Sequence, residues 1–203
     1  MKVGIFGGTF NPVHNGHLIM LDKFISQMNI DQCYVVPAAI SPFKTNFSVF
    51  QATDYDRLFM LKLAIKNINN NVEVLDYEII KGGVSYTIDT IEFLKNIHPE
   101  DDFYLLIGAD QAIAFDKWKR WEEILSNSNI CIVRRPDIDN TYLEQNIKLI
   151  FGSYLNKIHF IDAPIINITA TQIREKLKNK DSISGLVPKQ VEEYIAENKL
   201  YIS

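Results

Sequence analysis

The chain has 203 residues, 47% hydrophobic and 23% charged, the proportions of an ordinary globular protein with enough length for a substantial core. Its formal net charge of −4 excludes the broad basic face of a nucleic-acid binder, so any anion site must be a local concentration of positive groups and its ligand small. No basic leader precedes a long apolar stretch, and no run reaches the roughly eighteen apolar residues of a membrane span, so a cytoplasmic protein without a membrane partner is expected. The two cysteines, Cys33 and Cys131, lie inside apolar runs with no CxxC or Cys/His spacing, which predicts buried, reduced thiols and no protein-borne metal site.

The predicted elements alternate. An apolar strand over 2–6 precedes a helix over 18–24, and a second strand over 32–36 ends at Pro37. A loop over 38–46 follows. Asp54 is placed to cap a helix with its stripe on Leu58, Leu61, Ile65 and Ile68, leaving Asp56 and Arg57 on a solvated face. Strand 72–75 leads through a glycine turn over 81–87 to a helix over 88–94. The continuous apolar run 103–107 predicts a central strand covered on both faces. A helix over 115–125 carries both tryptophans, with Trp121 assigned to the core. Strands over 130–133 and 158–161 flank a helix from Tyr142 to Ile150. Thr169 and Gln172 form a capping box that opens a further helix, and the last helix has Pro188 at its first position. His98 and His159 have no neighbour at ligand spacing and read as structural. Strands alternating with helices in this way predict an α/β fold with a parallel sheet.

One stretch stands out: Gly7-Gly8-Thr9-Phe10-Asn11-Pro12-Val13-His14-Asn15-Gly16-His17. It joins the first strand to the first helix, where unpartnered N–H groups and the helix dipole favour an anion. Gly7 and Gly8 let a phosphate approach the backbone, and His14 and His17, three apart, can face one spot. Neither a Walker A loop nor a GxGxxG fingerprint is present. The string resembles the TxxHxGH signature of the nucleotidylyltransferase superfamily, and within it most resembles the bacterial nicotinate-mononucleotide adenylyltransferases. A second stretch, Ile168-Thr169-Ala170-Thr171-Gln172-Ile173-Arg174, is similar to the superfamily's Ile-Ser-Ser-Thr-x-Ile-Arg signature, with Ala170 in place of one hydroxyl.

The resemblance spans essentially the whole chain and implies a Rossmann-like doubly wound parallel sheet. Residues 1–203 would form a single nucleotidylyltransferase domain, with a helical part from about 168 to 203 packed on it. The implied reaction is adenylyl transfer from ATP to nicotinate mononucleotide, with Mg²⁺ carried by ATP rather than by a protein site. Gly8, Thr9, Phe10, His14 and His17 would contact ATP, with His14, His17 and Arg174 acting on its phosphates. Thr169 and Thr171 would join Arg174 at the second helix N-terminus. Gly108 and Asp110, in the family's GxD position, would meet the ribose, although on its own Asp110 also reads as a turn or capping residue. Lys44, in the loop after the second strand, would meet the acceptor phosphate; Phe43 stands where many members have His. Backbone groups around Tyr86 and Thr87 would bind the nicotinate carboxylate, though Thr87 alone reads as a helix cap. Trp118 would stack on the pyridine ring, and Arg135 would lie near the nucleotide. Ser184 replaces an Arg common in the family. Two alternatives stay open: another acceptor, such as nicotinamide mononucleotide or phosphopantetheine, and a non-catalytic nucleotide binder on the same fold.

Overall fold

Strict alternation along the apolar strands dictates the layers of this protein. The computed structural model describes residues 1–42, 52–66, 68, 71–134, 138–164 and 167–202. Its strands are β1 (Lys2–Gly8), β2 (Gln32–Pro37), β3 (Val72–Val74), β4 (Asp102–Gly108), β5 (Ser128–Val133) and β6 (Ile158–Ile161). They form one sheet in the order β3-β2-β1-β4-β5-β6, with every pair parallel. Val3, Ile5, Leu105, Ile107, Ile130 and Ile132 point to one face, and Phe6, Val35, Leu106, Cys131 and Val133 to the other. Two separate apolar cores result, so the sheet is covered on both sides and its strands read as unbroken hydrophobic runs.

The helices are α1 (Asn15–Met28), α2 (Asp54–Ile65), α3 (Tyr77–Lys81), α4 (Thr87–Ile97), α5 (Ala109–Ile113), α6 (Trp121–Asn127), α7 (Asn140–Phe151), α8 (Ala170–Lys178) and α9 (Lys189–Glu197). α1, α2, α8 and α9 cover the first core through residues such as Phe24, Leu61, Ile173 and Ile195. α4 to α7 cover the second through Ile91, Ala112, Leu125 and Ile147. Gly4 lets α1 approach the sheet: a Cβ there would lie 2.8 Å from the Phe24 ring and 3.1 Å from Cys33 Sγ. Both cysteines are buried and reduced, and burial pushes their thiols up, that of Cys131 to about 12.

Several local expectations are corrected. Thr53, not Asp54, caps α2: its hydroxyl accepts from the Asp56 N–H, and the Asp56 carboxylate accepts from the Thr53 N–H. Asp54 is the first helical residue, and the helix ends at Ile65 rather than Ile68. Pro188 occupies the N-cap position of α9 rather than its first turn. The predicted helix over 115–125 is broken into a 3-10 turn, Phe115–Lys117, and α6, because Trp118 is extended and Arg120 has a φ of 54°. The two tryptophans therefore do not share a helix, and Trp121 is half-buried against the second core. The short α3 had no legible periodicity, since none of its five residues is buried.

His98 is not isolated. Its ring bridges Tyr34 Oη (2.9 Å) and the Asp101 carboxylate (2.9 Å), which also holds the chain's amino terminus at 2.5 Å. This network lies at the opposite end of the sheet from the glycine-rich loop after β1.

Candidate active site

In open parallel sheets a ligand crevice forms at the carboxyl ends of the strands, where the strand order reverses. Here that point lies between β1 and β4. A cleft of about 1170 Å³ occupies it, bounded by Gly7, Gly8, Ile107, Gly108, Val133 and the segment 167–171. Lys117, Lys119, Arg134 and Arg174 reach its wall against two carboxylates, Asp110 and Glu78, so the cleft concentrates positive charge on a net acidic chain. Among the described residues no group of three or more His, Cys, Asp or Glu side chains could hold a metal ion.

The loop after β1 is fixed from several directions. His14 caps α1, and its N–H donates to His17 Nδ1 at 3.2 Å. With Nδ1 accepting, the neutral His17 ring carries its proton on Nε2. The two imidazoles stack with centroids 3.6 Å apart and planes 25° from parallel. Phe10 is buried and packs edge-on to His17, with centroids 4.9 Å apart, behind the ring rather than on the cleft wall. That placement also gives Gly8 its reason: a Cβ there would meet the Phe10 ring at 2.9 Å, whereas one on Gly7 would meet nothing. Gly7 rather than Gly8 thus leaves bare backbone facing open space.

Arg174 on α8 reaches back to this loop. One guanidinium nitrogen donates to the Asn11 carbonyl at 2.7 Å and another to Thr171 Oγ1 at 3.1 Å. Thr169 caps α8 in the predicted box with Gln172. The two stretches singled out in the sequence, 163 residues apart at this contact, therefore place two helix N-termini on one cleft.

Sequence reasoning missed part of this brace. Arg57, read as a solvated residue, is 3% exposed; it donates to the Thr9 carbonyl at 2.6 Å and pairs with Asp54 at 2.6 Å. Asp56 is likewise engaged, accepting from Tyr194 Oη at 2.9 Å as well as capping α2. Burial pushes the Asp56 carboxyl up, but the Thr53 and Tyr194 hydrogen bonds outweigh it and hold the group below its ordinary value. From the C-terminal segment, Tyr201 Oη donates to Asn11 Oδ1 at 2.6 Å, and the Leu186 carbonyl accepts from the Asn15 N–H at 2.9 Å. The contacts to Thr9, Tyr194, Asn11 and Asn15 have no local signature, since each joins residues distant in sequence; only the Arg57–Asp54 pair and the Asp56 cap are local to α2.

Across the cleft, Gly82 and Gly83 both have positive φ and shape the turn before α4. Tyr86 occupies the N-cap position, Thr87 is the first helical residue, and both line the cleft. The turn is tied to the loop after β2: the Ser85 N–H donates to the Ile40 carbonyl at 2.9 Å, and Ser85 Oγ accepts from the Ala39 N–H at 2.9 Å. Glu78 on α3 accepts from Thr90 Oγ1 at 2.5 Å; burial pushes its carboxyl up, partly offset by the Thr90 and Ser85 hydroxyls. Trp118 lines the cleft and stacks on buried Phe115, with centroids 5.0 Å apart. Gly108 ends β4 and Asp110 lies in the first turn of α5, both on the same cleft. Phe43, Lys44 and Arg135 lie outside the described residues; Arg134, beside the last, lines the cleft with its guanidinium over Phe160.

A cytidylyltransferase-like family model matches residues 5–176. The nicotinate-nucleotide adenylyltransferase of Bacillus subtilis is 36% identical over 203 residues, covering 100% of this chain and 99% of the relative. The chain belongs to the nicotinate-nucleotide adenylyltransferase family. A probable member from Clostridium novyi is 35% identical over 200 residues, covering 98% of each chain. A solved structure of the Plasmodium falciparum nicotinic acid mononucleotide adenylyltransferase complexed with NaAD shares the fold, with a TM-score of 0.80 at 21% identity over 98% of this chain and 97% of that one. The doubly wound sheet expected from the family's motifs is therefore present in full.

Proposed function

We infer that this protein transfers the adenylyl group of ATP to nicotinate mononucleotide, giving nicotinate adenine dinucleotide and pyrophosphate, a step of NAD biosynthesis. The observation that carries this reading is the meeting of the two helix N-termini through Arg174 and Asn11, with His14 and His17 on the same cleft. That arrangement suits a polyphosphate. The family membership supplies the class of reaction.

In this reading the acceptor's 5′-phosphate oxygen attacks the α-phosphorus of ATP. A new P–O bond forms, the bond from the α-phosphorus to the bridging oxygen breaks, and pyrophosphate leaves with the electron pair. A phosphate monoester has a second pKa of about 6, so the nucleophile is already ionised at neutral pH and needs no general base. Catalysis then consists of positioning and charge stabilisation. His17, with Nε2 protonated, donates to the charge developing at the reacting phosphorus, and His14 supports it. Thr169, Thr171 and Arg174 hold the outer phosphates, while Gly8 and Thr9 supply the loop on which they rest. Phe10 acts from behind His17 by setting its ring. Asp110 and Gly108 take the ribose. Tyr86 and Thr87 receive the nicotinate carboxylate at the start of α4, Trp118 stacks on the pyridine, and Lys44 and Arg135 add charge at the acceptor and nucleotide. Mg²⁺, entering with ATP, would neutralise phosphate charge, which fits a cleft lined, among the described residues, by the carboxylates of Asp110 and Glu78 alone.

The test is pyrophosphate release from MgATP with nicotinate mononucleotide, nicotinamide mononucleotide and phosphopantetheine side by side. Strong preference for the nicotinate form supports the reading. Preference for another acceptor replaces the substrate but keeps adenylyl transfer. No release with any of them, from folded protein that binds ATP, points to a nucleotide binder.

A further inference from the structure

Carboxylate and carboxamide rings differ by one charge, and helix N–H groups donate to an oxygen of either. A cation beside those N–H groups adds a preference for the charged ring. Lys119 lies on the cleft wall directly after Trp118, its ammonium 4.1 Å from the centroid of the Tyr86 ring. We propose that Lys119 is a specificity-determining residue that reads the carboxylate of the acceptor's pyridine ring; this rests on the adenylyl-transfer reading above.

Its position is determined by its neighbours. Arg120 ties the segment to α4 through Glu92 (2.7 Å) and to α6 through Glu123 (2.5 Å), so the loop bearing Lys119 is anchored to the helix that opens at Tyr86. Asp89, in the first turn of α4, restrains the ammonium at 3.6 Å but pairs much more closely with Lys81. Burial pushes the Asp89 carboxyl up, and the two lysines outweigh it and hold it below its ordinary value, so its charge is present and largely matched by Lys81. The Lys119 ammonium is thus held over Tyr86, with Asp89 3.6 Å away and shared with Lys81, at the turn where a ring carboxylate is expected. Nearby, Glu78 accepts from Thr90 Oγ1, and burial pushes its carboxyl above the ordinary value, with the Thr90 and Ser85 hydroxyls and Lys81 opposing.

The test compares wild type with Lys119→Ala and Lys119→Arg, using both pyridine mononucleotides at limiting concentration. The side chain is 44% exposed, so a screened charge–charge contact is expected, with about a fivefold loss of kcat/KM for the nicotinate form in Lys119→Ala at low salt. The loss should fall mainly on KM for that acceptor, be smaller for the nicotinamide form, be largely restored in Lys119→Arg, and shrink as salt rises. Where turnover of the nicotinamide form is too slow to read, its inhibition constant against the nicotinate form takes its place. Equal losses for both acceptors would mean that Lys119 meets their common phosphate or only supports the fold, and would overturn the proposal. So would an unchanged preference. A wild-type protein inactive with nicotinate mononucleotide would instead overturn the functional reading itself.

Discussion

The two ends of the cleft are held by different means. The loop after β1 is clamped by side chains that cross from other elements onto its backbone and Asn11: Arg57 from α2, Arg174 from α8 and Tyr201 from the C-terminal segment. Arg57, Asn11 and Tyr201 are all buried, so these bonds work in a low dielectric and losing a partner leaves a polar group stranded. The turn before α4 is held instead by backbone pairing to the loop after β2 and by ion pairs around Asp89 and Arg120 at the surface. Surface pairs of that kind contribute little to stability. In the proposed function the first end, which would take ATP, is built to fix geometry, and the second, which would take the acceptor, to choose a ligand. Changes at the first should reach the fold and kcat, whereas changes at the second should move KM and preference.

The largest expected effect is at His17. His17→Ala removes the donor proposed for the transition state and should lower kcat by about 10²–10³-fold. It also removes the acceptor of the His14 N–H, at a cost of about 1 kcal/mol in unfolding free energy. Near-normal turnover in folded mutant protein would break the comparison at its strongest point.

Arg57→Met sharpens it, because among the described residues Arg57 meets the site through its hydrogen bond to the Thr9 carbonyl. The half-buried Thr9 carbonyl loses the Arg57 hydrogen bond, and denaturant unfolding should show about 1–3 kcal/mol of destabilisation. kcat should fall with acceptor preference unchanged. A change in preference without loss of stability would reverse the roles of the two ends.

At the acceptor end, Trp118→Ala should raise KM for nicotinate mononucleotide about tenfold through lost stacking. KM for ATP should stay within about twofold. Equal rises for both substrates would mean that Trp118 supports the whole cleft through Phe115.

The smallest effect is one of pH. The Asp56 carboxyl sits below its ordinary value in the folded protein, so its contribution is complete above the unfolded value of about 3.9 and is lost as pH falls through the folded one. Thermal melts from pH 6 down to 3 should show this loss, and Asp56→Asn should flatten that part of the curve. An unchanged slope in Asp56→Asn would remove Asp56 from the brace.

Local signals carried the features that proved legible in the sequence. Period-two and continuous apolar runs placed all six strands, and the Thr169–Gln172 box placed the start of α8. The glycine-rich string and the Ile168–Arg174 stretch both lie on one cleft, and that this cleft takes phosphate is part of the proposed function. What stayed hidden depends on tertiary contact. Arg57 looks like any charged residue in a first helical turn until α2 docks against the loop after β1. Phe10 reads as part of a binding string but is buried behind His17. The break at Trp118–Arg120 had no glycine or proline to announce it; Arg120 takes a left-handed conformation in a site with ion pairs to Glu92 and Glu123.

The most direct measurement follows phosphorus. ATP labelled at the α-phosphate, incubated with the protein, Mg²⁺ and nicotinate mononucleotide, should place all transferred label in nicotinate adenine dinucleotide, with unlabelled pyrophosphate released in equal amount. Label covalently retained on the protein, or transfer from the γ-phosphate instead, would contradict direct attack at the α-phosphorus in this cleft.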